Sequence, residues 1–196
     1  MEPIRDYELR GFFSHVIGAL ERLDIPYMVV GGFAAVLYGE PRLTIDVDIL
    51  VVMRPEQIPP FVAAFPVPDY YTNEEGIRDS LQRNYPFNVI EPGTGAKVDL
   101  VPLPADPFTR AAFRRRQRLV YDEGGRTACF ITAEDIVVAK LVAYRTTGSD
   151  KHLRDARGVL WTQWGTLDLV ALRRNAAAGQ VSELLESLLR EVADSD

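Results

Sequence analysis

Two aspartates, Asp46 and Asp48, stand inside the run Thr44-Ile-Asp-Val-Asp-Ile-Leu-Val-Val52, whose other members after Thr44 are all aliphatic. Its β-branched content and initial alternation predict a strand, and a strand sends residues i and i+2 to the same face. Two carboxylates are therefore set side by side. Like charges at that spacing repel strongly where water is scarce, unless a cation is shared between them or one is protonated. The fold must supply something that compensates them. A third acid, Asp99, interrupts the apolar run Val98-Asp-Leu-Val101 in the same way, and if the two strands are neighbours all three carboxylates can converge. A lone aspartate at a strand end is more often a cap or a surface residue, so the weight lies on the trio. Oxygen donors without histidine or thiolate suit Mg²⁺ or Mn²⁺.

The rest of the chain reads as an α/β protein. Residues 7–22 place Leu9, Phe12, Phe13, Val16, Ile17 and Leu20 at three- and four-residue spacing, which predicts an amphipathic helix. Pro26-Tyr-Met-Val-Val30 reads as a short buried strand; Gly31-Gly32 follows as a turn, and Phe33–Tyr38 as a helix closed by Gly39. A helix is expected over Arg54–Ala64. Tyr85–Ile90 and Lys97–Val101 are two further strands, joined by a Pro- and Gly-bearing turn that suggests a hairpin. Pro102, Pro104 and Pro107 mark a boundary, so residues 1–105 are expected to form the catalytic domain and 106–196 a mainly helical region that completes the cleft. In that region an arginine-rich helix is expected over Pro107–Leu119, and a hairpin around Asp122–Gly125. Thr132-Ala-Glu-Asp135 has the capping-box pattern ahead of a helix running to Tyr144. The stripe Val181, Leu184, Leu185, Leu188, Leu189 and Val192 must be buried, on the domain or in a homodimer interface. Trp161 and Trp164 are expected in the C-terminal core.

Composition removes several classes of function. With 196 residues and one cysteine, Cys129, the chain has no intrachain disulfide or cysteine zinc cluster, and His15 and His152 are too few to build a zinc site. The apolar stretch Ile25–Tyr38 is interrupted by Pro26, Gly31 and Gly32 and is shorter than the roughly 20 residues a membrane span needs. No signal of the secretory kind opens the sequence, so a cytoplasmic location without membrane partners is expected. A net charge of −6 argues against unselective nucleic-acid coating. The charge is graded, however: residues 1–105 hold 15 acidic and 8 basic side chains, residues 107–174 hold 7 and 13. Only Lys97, Lys140 and Lys151 among the 22 basic residues are lysines.

Gly31-Gly32, between a strand and a helix, would let backbone N–H groups approach a phosphate. No Gly-x-Gly-x-x-Gly is present, and Gly93-Thr-Gly-Ala-Lys97 has the wrong spacing for a P-loop. Lys140 lies among the apolar positions Ile136, Val137 and Leu141, so its ammonium either snorkels to solvent or points at an anion. Lys151, Arg154 and Asp155 read as a solvated helix start. The run Arg110, Arg114, Arg115, Arg116 and Arg118 reads first as a solvated helical face and second as an RNA contact.

Taken together, Gly31-Gly-x-Ala-x-x-x-Tyr-Gly39, thirteen residues between Gly32 and Asp46, Arg42-x-Thr-x-Asp-x-Asp48 and the later Asp99 resemble the nucleotidyltransferases of the DNA polymerase beta superfamily. Glu134-Asp-x-x-x-x-Lys140 and Lys151-His-Leu-Arg-Asp155 extend the similarity to minimal bacterial nucleotidyltransferases that include abortive-infection-type toxins. The resemblance covers about residues 10–160. It implies a mixed sheet flanked by helices, a bound nucleoside triphosphate, and transfer of a nucleoside monophosphate to an acceptor hydroxyl. Asp46, Asp48 and Asp99 would be the catalytic and metal-binding acids, with Asp99 the candidate general base. Gly31, Gly32, Arg42, Thr44 and Lys140 would contact the nucleotide. Where many relatives carry a serine after the first glycine, this chain has Gly32, so backbone N–H groups must suffice. The acceptor could be a tRNA end, a protein or a small molecule such as an aminoglycoside, and the chain could be the toxin of a toxin–antitoxin pair. The alternative is a module that binds nucleotide or a partner without turnover.

Overall fold

The computed structural model describes residues 3–40 and 46–193, with side chains from residue 11 onward. In chain order the elements are α1 (Pro3–Arg22), β1 (Tyr27–Val30), α2 (Gly31–Tyr38), β2 (Asp46–Val51), α3 (Ile58–Ala63), α4 (Glu74–Arg83), β3 (Phe87–Glu91) and β4 (Ala96–Pro102). Then follow α5 (Pro107–Arg115), β5 (Gln117–Val120), β6 (Thr127–Phe130), α6 (Ala133–Thr147), α7 (Asp150–Gln163), α8 (Leu169–Ala178) and α9 (Ser182–Ala193). The chain forms two compact units: residues 1–29, 45–105 and 118–129 make the first, and residues 30–44, 106–117 and 130–196 the second.

The first unit is built on a six-stranded sheet in the order β3-β4-β2-β1-β6-β5. It is mixed, as expected: β2 and β4 run parallel, whereas β3 and β4 are antiparallel. Alternation along β2 and β4 buries Val47, Ile49, Val98 and Leu100 on one face, each with no exposed surface. The same alternation leaves Asp46, Asp48, Lys97 and Asp99 on the other. The stripe predicted for α1 is also realised, with Phe12, Phe13, Val16, Ile17 and Leu20 all buried.

Helix α4 has no counterpart in the sequence reading, because among its ten residues only Ile77 and Ser80 are buried and no apolar stripe announces it. Local chemistry defines its ends instead. The Asn73 side chain accepts a hydrogen bond from the Gly76 N–H at 2.7 Å, and Asn84 closes the helix in the left-handed region at φ 56°. The helix expected over Arg54–Ala64 begins as a short 3₁₀ turn, Pro55–Gln57, before α3.

In the second unit, Thr132 Oγ1 accepts from the Asp135 N–H at 3.2 Å, as the capping pattern predicts. The Asp135 carboxylate does not turn back to the cap. It is fully buried and accepts from Arg115 Nη2 at 2.7 Å, Arg115 Nε at 2.9 Å and Asn175 Nδ2 at 2.8 Å. The arginine-rich helix stops at Arg115 rather than Leu119, and the chain continues into β5. Along α9, Leu185, Leu188, Leu189 and Val192 are buried within the chain itself. Trp161 departs from expectation: it is 49% exposed, because α7 buries Ala156, Val159 and Leu160 and the next residue along turns about 100° away from that face. Among the described residues no helix is long and apolar enough to cross a membrane.

Candidate active site

In the first unit the strand register does what the sequence pattern required. Asp48 is the Cα partner of Asp99, and Asp46 is the partner of Lys97. Directly paired residues share a sheet face, so Asp46, Asp48, Asp99 and Lys97 form a two-by-two array of charged groups on adjacent strands. On the other side of β4, Asn88 is the antiparallel partner of Asp99. The third carboxylate is engaged at both oxygens: Lys97 Nζ lies 2.7 Å from Oδ2, and Asn88 Nδ2 donates to Oδ1. The Lys97 ammonium is held above its ordinary range, first by this hydrogen bond to Asp99 and, against the opposing effect of burial, by the charges of Asp99, Asp46 and Asp48. The compensating cation that the acid pair demanded thus includes one carried by the chain.

Sequence reasoning did not assign Lys97 or Asn88 to the site. Lys97 was legible in principle, since it stands two residues before Asp99 and so on the same strand face. Asn88 was not, because only the β3–β4 register brings it beside Asp99.

Carboxylate oxygens without imidazole or thiolate match the preferences of a hard divalent cation. Asp46 and Asp48 have the strand placement to hold one. Among the described residues, no group of three acidic, histidine or cysteine side chains is gathered closely enough to hold a metal ion.

In the second unit Gly31 takes φ 67°, a left-handed conformation that costs glycine nothing and other residues strain, and α2 begins there. The residue ahead of the helix, Val30, provides no side-chain cap, and the first turn of α2 carries no acid, so its leading N–H groups suit an anion. Tyr38 and Gly39, which belong to the same sequence pattern, have packing roles. The Tyr38 hydroxyl donates to the Ile131 carbonyl at 2.8 Å and accepts from Gln117, and burial pushes its phenol up to about 12.

Lys140 neither snorkels out nor stands apart. Its Nζ lies 2.7 Å from Asp155 Oδ2, and the two side chains are 7% and 6% exposed. Asp155 joins Lys151, Arg154 and Glu40 in lining a cavity of about 290 Å³ between α2 and α7. The cluster read as a solvated helix start is therefore the wall of a cavity in which both signs of charge meet. Beside it His152 keeps its Nδ1 buried, with no hydrogen-bond partner among the described residues. Within the arginine run, Arg115 binds Asp135, Arg118 binds Glu21 at 2.9 Å, and the Arg116 guanidinium stacks 4.2 Å from the centre of the Phe113 ring. Arg42 and Thr44 lie outside the described residues.

No protein-family model matches the chain, and no curated protein matches it in sequence. Solved structures do match. An antigenic nucleotidyltransferase-like protein from Paracoccidioides brasiliensis superposes with a TM-score of 0.51 at 18% identity, over 93% of this chain and 92% of that one. The antibiotic-resistance factor ANT(2'')-Ia matches in its solution structure with a TM-score of 0.53 at 14% identity, over 95% of this chain and 98% of that one. The chain has the nucleotidyltransferase fold. A crystal structure of ANT(2'')-Ia in complex with adenylyl-2''-tobramycin also matches, with a TM-score of 0.52 at 13% identity over 87% of this chain and 95% of that one. Likeness at these identities establishes the nucleotidyltransferase fold and its helical C-terminal region, to which the carboxylate array of β2 and β4 adds a candidate site.

Proposed function

We propose that the protein is a metal-dependent nucleotidyltransferase, which moves a nucleoside monophosphate from a nucleoside triphosphate to an acceptor hydroxyl. The observation that carries this reading is the register pairing of Asp48 with Asp99, with Asp46 on the same strand face, in a chain of nucleotidyltransferase fold. Mg²⁺ or Mn²⁺ on these acids would neutralise charge on the triphosphate and on the departing pyrophosphate. The protein's own part is to fix the cation through Asp46 and Asp48, and to receive at Asp99 the proton that the acceptor hydroxyl loses. Nucleotide-binding roles are assigned to the N–H groups of Gly31 and Gly32, and to Arg42, Thr44 and Lys140. The Lys140 role requires its ammonium to serve phosphate as well as Asp155.

The acceptor that deserves the first trial is a small polyhydroxyl or aminoglycoside molecule, since the matching ANT(2'')-Ia was solved with an adenylylated aminoglycoside. A tRNA end or a protein hydroxyl would suit the same centre, and a toxin role goes with those acceptors.

A thermal-shift titration with ATP, CTP, GTP and UTP, with and without Mg²⁺, tests the reading on the native protein and on an Asp46→Asn/Asp48→Asn variant. Ligand that binds only the folded state must raise its stability. The expected result is a magnesium-dependent shift with at least one nucleotide, absent from the variant. No shift with any of the four would overturn it.

A further inference from the structure

The proposed cation site has a fourth member that the trio of acids does not account for. Lys97 shares the face of Asp46, Asp48 and Asp99, pairs in register with Asp46, and places its ammonium 2.7 Å from Asp99 Oδ2. Asn88 donates to the other oxygen of Asp99. Both oxygens of that carboxylate therefore already face a donor, one of them fully charged.

We propose that Lys97 is a resident counter-cation of the carboxylate face, so that the protein takes one divalent cation, on Asp46 and Asp48, and Lys97 stands in for a second at Asp99. This rests on the reading of the site as a nucleotidyltransferase centre and deepens it. Two considerations support it. An ammonium ion beside Asp99 opposes a dication approaching the same carboxylate, because like charges at hydrogen-bonding range repel even through water. The side chain is not a loose surface lysine: strand parity and register hold its base among the three acids, and Asp99 is only 18% exposed. Lys97 acts here through Asp99 and is a positioning residue: it keeps the third carboxylate oriented and charge-balanced for the acceptor hydroxyl.

The test counts bound Mn²⁺ by electron paramagnetic resonance, using the full chain with Mn²⁺ alone as the probe. The native protein is expected to bind one ion per chain at the carboxylate face, lost in Asp46→Asn/Asp48→Asn. Lys97→Met is expected to gain a second ion that Asp99→Asn then removes, while Lys97→Arg, which keeps the charge, stays at one. Circular dichroism confirms that each variant is folded. Two ions in the native protein, or an unchanged count in folded Lys97→Met, would overturn this proposal and leave the nucleotidyltransferase reading standing. Absence in the native protein of any ion that depends on Asp46 and Asp48 would overturn both.

Discussion

Asp48 on β2 and Asp99 on β4 are direct Cα partners in a parallel pair of strands, although 50 residues separate them in the chain. Their neighbours on the opposite face, Ile49 and Leu100, are partners as well and are completely buried. One pairing therefore anchors the core and sets the carboxylates of the candidate site side by side.

The two faces are expected to respond differently to substitution. Leu100→Ala should lower stability by about 2–5 kcal/mol through lost burial and the cavity left behind, read as a shift in the urea midpoint. Asp48→Asn should keep the native far-ultraviolet circular dichroism and lose the magnesium-dependent nucleotide shift. A fully active Asp48→Asn protein would remove the acid from the mechanism.

Gly39 ends α2 where the helix meets α7. A Cβ there would lie 2.8 Å from the Ala35 carbonyl oxygen and 3.1 Å from backbone atoms of Gly158 and Val159. These are backbone contacts that cannot rotate away, so Gly39→Ala should destabilise by about 1–3 kcal/mol through overpacking. Differential scanning calorimetry would register this as a lower melting temperature, and an unchanged value would contradict the close approach.

Asp135 ties α5 and α8 to α6. Asp135→Ala leaves the Arg115 guanidinium and the Asn175 amide without their acceptor, at a cost of about 3–5 kcal/mol for breaking one side of a buried charge pair. The loss sits near the lower figure if Arg115, with 35% of its side chain exposed, recovers water. Chemical denaturation of the variant beside Asp135→Asn, which keeps one acceptor oxygen, separates loss of charge from loss of hydrogen bonds.

His152 makes stability depend on pH. Burial, followed by the charge of Lys140, holds its imidazole below the usual 6.5, with Asp155 opposing and Lys151 adding to the depression. A histidine depressed in the folded state is neutral there while the unfolded chain already binds a proton. Its contribution is therefore intact above pH 6.5 and falls as pH drops from 6.5 towards the lower folded value. The native melting temperature should decline over that window, and His152→Gln should show a shallower decline. Identical slopes would show that His152 does not titrate there.

The parts of this protein that sequence determined are those governed by short periods. Alternation along Thr44–Val52 and Val98–Val101 placed Asp46, Asp48 and Asp99 on strand faces, three- and four-residue spacing drew α1 and α9, and Thr132 marked the start of α6. Such signals are legible because a residue's side-chain direction follows from its nearest neighbours along the chain. Tertiary structure decided what those faces meet. The register of β3 and β4 brought Asn88 onto Asp99, the register of β2 and β4 set Asp48 beside Asp99 and Asp46 beside Lys97, and the packing of α6 with α7 buried Lys140 against Asp155. The fold likewise decided which face of α7 is buried, through Ala156, Val159 and Leu160, and so left Trp161 exposed. A charged side chain's partner depends on which distant segment lies beside it, and no periodicity in one segment encodes the position of another.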